Sequence, residues 1–119
     1  MWQRDLGRPV LVALLLAGCG GAPVPTKQLN NVQASIRGAE VAGVNRSPSA
    51  APYMDLARDN LTRAEREIRD GDNEEAALTL ERAQADADLA QAIRSEEKER
   101  VLSQQAKARA QELRTQMQP

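Results

Sequence analysis

Two apolar stripes on either side of Asp70-Gly71-Asp72 leave this chain very few ways to fold. Before the glycine, Met54, Ala57, Leu61, Ala64 and Ile68 recur at spacings of three and four, which places them on one face of a helix. After it, Ala76, Leu80, Ala83, Ala87 and Ala90 do the same. Gly71 is suited to end the first helix, because glycine enters the left-handed region without a Cβ clash. Asp72, with Glu75 three residues on, has the spacing of a capping box and is expected to start the second helix. When the turn closes, the two stripes meet in an alanine-rich seam. The fold class expected is therefore all-α: a three-helix up-down arrangement built on this hairpin, with a long C-terminal helix extending beyond it.

The third helix of that arrangement lies upstream. Leu29, Val32, Ile36, Ala39 and Gly43 keep the same period across residues 26–44, with Asn30, Gln33, Arg37 and Glu40 on other faces. Residues 43–51 collect Gly, Asn, Ser and Pro48 in a loop, and Ser47 or Ser49 is placed to cap the following helix. Pro52 fits the first turn of that helix, where its missing donor is not needed. The helices expected are thus 26–44, 51–70 and 73–93. Within the second, Asp59 with Arg63 and Glu65 with Arg69 stand an acid four residues before a base, as exposed stabilising pairs do.

Composition narrows the chemistry. With no Phe, and with Tyr53 as the only aromatic besides Trp2, a large aromatic interior is excluded and the core must be thin. Sixteen basic and 17 acidic residues offer no concentrated basic surface for nucleic acid. Catalysis finds little support: there is no histidine, no glycine-rich phosphate loop and no nucleophile elbow, so no enzyme is expected. Asp86 and Asp88 stand two apart on a helix and point to different faces, so no metal site and no cofactor are expected either. The single hairpin shares spacing with a tetratricopeptide repeat but has no second copy in the chain, which leaves no array groove.

The N-terminus has the three parts of a secretory signal: Arg4 and Arg8, then an apolar run over residues 10–17, then Leu16-Ala17-Gly18-Cys19. The run is shorter than the roughly 20 residues of a membrane-spanning helix. Leu16, Ala17, Gly18 and Cys19 resemble the bacterial lipoprotein signal. The resemblance implies that the Cys19 thiol is diacylglycerated, that the chain is cut before it, making residues 1–18 a signal peptide, and that the new amino group is acylated. It also implies the outer membrane facing the periplasm, since Gly20 stands where an aspartate would favour the inner one. Residues 19–25 then form the lipidated terminus and a short linker, whose six residues beyond the cysteine reach about 20 Å at full extension.

Downstream, Ala51-Pro52-Tyr53, Leu56-Ala57, Leu61, Ala64, Gly71-Asp72-Asn73-Glu74-Glu75-Ala76, Leu80, Ala83, Asp86-Ala87 and Ala90 resemble the domain of unknown function 4398. That family occurs in bacterial lipoproteins and beside OmpA-like peptidoglycan-binding modules. It supplies no activity and no site residues to carry over. The function expected is that of a lipid-anchored envelope protein with a structural or adaptor role. The alternative is a periplasmic module that holds a cell-wall fragment or small ligand between the first two helices.

Beyond the helical domain of residues 26–93, the extension 94–119 contains no glycine and no proline before Pro119, so the last helix is expected to continue. Residues 94–100 are polar all round and are expected to project into solvent, with Glu96 paired to Arg100. Then Leu102, Ala106, Ala110, Leu113 and Met117 return as an apolar face with no partner left in the chain. This is the expected interaction face, for a second copy or an unidentified envelope protein. Residues 103–119 carry a net charge of +2 against −6 for residues 55–93, a difference that favours attraction between neighbouring copies.

Overall fold

The computed structural model describes residues 20–119. They form α1 (Thr26–Val41), a short 3-10 turn (Val44–Arg46), α2 (Ala51–Asp70) and α3 (Asn73–Met117), with no strand among the described residues. Over the described residues the chain is all-α, three helices with the last far longer than the others. The side-chain bonds fix their directions. Glu40 reaches Arg58 and Gln33 reaches Glu65, so α2 runs antiparallel to α1. Ser35 bonds to Gln84 while Asn73 bonds to Ala22, so α3 returns parallel to α1.

The expected stripes form the core, except that Ile68 at the end of α2 is only half-buried and lies outside it. Val32, Ile36 and Ala39 of α1, Met54, Ala57 and Ala64 of α2, and Ala76, Leu80, Ala83, Ala87 and Ala90 of α3 are all buried. Leu29, Tyr53, Leu61 and Ile93 pack at the margins of that core. Small side chains let the helices approach closely, and Met54 and Leu80 are the largest groups enclosed.

The first helix stops at Val41, three residues before the expected end, and Gly43 is not part of its apolar face. Gly43 takes φ +81°, its amide bonds to the Glu40 carbonyl, and the chain turns into the 3-10 segment. Val44 and Ala50 of this connection are buried, which extends the core past the helix. Ser47 caps the next helix from upstream. Its hydroxyl accepts the Ala50 amide at 3.1 Å and its carbonyl accepts that of Ala51, with Pro48 next to it as in a first helical turn.

At the other end Gly71 takes φ +86°, with its amide on the Ile68 carbonyl and that of Asp72 on the Glu67 carbonyl, the paired closure of a Schellman turn. This closure overturns the expected capping box. Asp72 makes no side-chain cap bond, and its own amide, the group Glu75 would accept from, is already bonded to the Glu67 carbonyl. Glu75 lies instead 3.5 Å from Arg63. The two expected pairs on α2 do not form either. Arg63 turns to Glu67 at 2.7 Å, where a carboxylate half-withdrawn from water attracts it more strongly than the solvated Asp59, and Glu65 accepts from Gln33.

Candidate functional site

The bundle ends at a single latch. Glu97, expected in solvent, accepts a hydrogen bond from the Ser47 hydroxyl at 2.8 Å and lies 3.5 Å from Arg94. The Ser47 hydroxyl, with smaller contributions from Ser49 and Arg94, holds the Glu97 carboxyl below its ordinary range against the opposing effect of burial. Arg94 and Glu97 are thus half-buried on the side facing the loop after α1, Ser95 and Glu96 stay exposed, and the free helix starts at Lys98. The expected Glu96–Arg100 pair is present on the exposed side.

From Lys98 onward every residue is exposed. Leu102, Ala106, Ala110, Leu113 and Met117 all stand free, with Leu102 63% and Met117 80% exposed. At about 100° per residue these five fall within an arc of about 80°, and that arc is turned roughly a third of a turn from the core face centred on Ala83 and Ala87. The tail's apolar face is therefore not the core face running on past its partners.

The free side of α3 also carries apolar groups beside the bundle. Leu78 is 46% and Leu89 43% exposed, with Ala85 and Ala92 exposed between and after them. Sequence reasoning missed this face because it took the alanine stripe as the whole of the helix's apolar surface. The signal was in the chain: Leu78, Ala85 and Ala92 repeat at sevens, and so do Ala106 and Leu113.

The linker closes onto the opposite end of the bundle. The Asn73 side-chain amide donates to the Ala22 carbonyl at 2.8 Å, so residues 20–25 start beside the α2–α3 turn. Cys19, with Leu16, Ala17 and Gly18, lies outside the described residues. With 45 residues, α3 rises about 67 Å, carrying its tip away from the linker.

Two other features bear on chemistry. A shallow groove of ≈ 200 Å³ runs between α1 and α3, not between the first two helices, and is lined by Gln28, Asn31, Val32, Leu80, Glu81 and Gln84. Between α2 and α3, burial raises the Glu67 carboxyl, but the Thr79 hydroxyl, Arg63 and Arg82 together outweigh it and hold the group below its ordinary range. Neither Glu67 Oε2 nor the buried Thr79 hydroxyl completes a hydrogen bond, so the hydroxyl acts on the carboxylate as a nearby dipole. Asp86 accepts from Asn60 and Asp88 from Gln84, and no group of three His, Cys, Asp or Glu is placed to hold a metal among the described residues. No described helix is long and apolar enough to cross a membrane.

No family profile, curated protein or solved structure matches this chain.

Proposed function

We propose that this protein is a lipid-anchored component of the bacterial cell envelope, held through Cys19 in the outer membrane and facing the periplasm, and that it works as a structural or adaptor element without catalysis. The observation that supports this most is the opposition of its two ends. The linker that follows Cys19 is tied to the base of the bundle through Ala22 and Asn73, while the free half of α3 points away from it. A membrane-attached base and a projecting helical arm with an apolar face suit a protein that holds something at a distance from the bilayer. The short linker keeps the bundle within about 20 Å of the anchor. Acyl chains at Cys19 supply stable attachment, since each buried methylene contributes about 0.8 kcal/mol and two or three chains suffice where one does not. The signal-like residues 1–18 and the likeness to the domain of unknown function 4398 point in the same direction.

The test is metabolic labelling with a fatty-acid analogue. The wild-type chain is expected to take up label and to be shortened by its signal, whereas Cys19→Ser takes up none and stays at precursor length. Equal labelling of the two forms overturns the anchor.

A further inference from the structure

The exposed side of α3 has one continuous seam along its whole length. Starting at Leu78, positions repeat at alternating spacings of four and three as far as Met117. Leu78, Ala85, Leu89 and Ala92 occupy it beside the bundle. Ala106, Ala110, Leu113 and Met117 occupy it on the free arm, with Leu102 at its edge. Arg82, Glu96, Glu99 and Ser103 interrupt it. A sustained period of 3.5 is that of a helix packed against a partner helix in a left-handed pair, and α1 and α2 both lie on the other side of α3.

Charge selects the partner and its direction. Residues 73–95 of α3 hold five carboxylates against two arginines, a net of −3, while residues 98–117 hold five basic groups against two glutamates, a net of +3. Two such helices side by side in parallel set like against like. Antiparallel, each half meets its complement, and the apolar seam falls into register at the same setting. Leu78 then stands opposite Met117, Ala85 opposite Ala110 and Leu89 opposite Ala106, about an axis between Glu97 and Lys98, while Arg82 falls opposite Leu113 and Ala92 opposite Ser103. In this register Asp88 flanks Arg109 and Asp86 flanks Lys107 of the other copy. Glu96 comes opposite Glu99 at the axis, but Glu96 already holds Arg100.

We infer that the occupant of this face is a second copy of the chain, paired antiparallel along α3 so that the free arm of each molecule covers the exposed α3 face of the other's bundle. This goes beyond the adaptor reading and does not depend on the lipid: pairing sets the two linkers at opposite ends of α3, so an anchored pair lies with α3 along the bilayer, and the projecting arm belongs to the unpaired chain. Pairing brings together two wet faces rich in alanine and broken by polar groups at Arg82 and from Glu96 to Ser103, so association belongs to the micromolar range and above.

Disulfide trapping tests it in the full-length chain carrying Cys19→Ser. A preparation with Ala85→Cys mixed with one with Ala110→Cys is expected to cross-link between the two, and each alone to remain largely uncoupled. Self-coupling of Ala110→Cys, as a parallel pair would give, overturns the proposal, and so does a wild-type chain that sediments as a monomer at every concentration. Either outcome leaves the fatty-acid labelling at Cys19 untouched, so failure here is separable from failure of the anchor. Arg109 is exposed and makes no ion pair or hydrogen bond among the described residues, so its replacement is expected to leave folding undisturbed. Two symmetry-related pairs reversed at once by Arg109→Asp are expected to weaken association about tenfold, with Asp88→Lys in the same chain restoring it. No weakening, or no restoration, refutes the register.

Discussion

Replacing Met54 by alanine measures how far this fold depends on the few large side chains it encloses. Met54 has no exposure to solvent, and of the 13 buried hydrophobic residues among those described eight are alanines, so little else fills the space between the helices. The substitution removes three heavy atoms beyond Cβ, about 2.4 kcal/mol of transfer free energy at ~0.8 kcal/mol each. Helices already close at Ala57, Ala83 and Ala87 cannot move further inward, so the cavity persists and the cost rises to about 3–4 kcal/mol. For a bundle of this size each kcal/mol lowers Tm by roughly 4–8 °C, which places the shift at roughly 12–32 °C. The assay is thermal unfolding followed by circular dichroism at low protein concentration. Met117→Ala, at a site 80% exposed, makes the matched comparison, and surface substitutions of this kind stay within about 0.5 kcal/mol. A Met54→Ala shift below about 5 °C, or one equal to that of Met117→Ala, refutes the account of a thin core without spare room to collapse.

The two left-handed glycines separate strain from crowding. Gly71→Ala meets no atom within 4 Å, and a Cβ at Gly43 would stand 2.7 Å only from the end of the exposed Arg46 side chain, which can swing aside, so both alanine variants are expected to cost about 1–2 kcal/mol from backbone strain; a Gly43→Ala melt that recovers when Arg46→Ala is added counts against strain as the cause. Glu67 and Glu97 both have lowered carboxyl pKa values in the folded chain, so each contributes stability that is complete above the unfolded value of about 4.3 and is lost as pH falls through the lower folded value. Ser47→Ala is expected to cost about 1 kcal/mol at neutral pH through the lost cap and to flatten the Glu97 part of that acid limb; an acid limb identical to wild type by urea titration at pH 3 to 7 rules the latch out.

The helices and their inward faces were legible in the sequence because both depend on neighbours no more than four residues away. Spacings of three and four predicted the stripes of Val32, Met54 and Leu80, and Gly71 marked the turn, since a backbone preference acts wherever the residue stands. Local rules failed where a distant group competed for the same atoms. Asp72 had the sequence of a cap, but the Schellman closure had already taken the amide that Glu75 needed. Arg63 had Asp59 one turn away and chose Glu67, because the contact with α3 withdraws that carboxylate from water. Nothing within four residues of Glu97 marks it as the end of the bundle; Ser47, 50 residues earlier, does so through one hydrogen bond. The free face of α3 needed the tertiary structure most. Exposed and enclosed alanines look alike along a chain, and only the positions of α1 and α2 on one side of α3 decide that Ala83 and Ala87 lie in the core while Leu78 and Leu89 are left facing solvent.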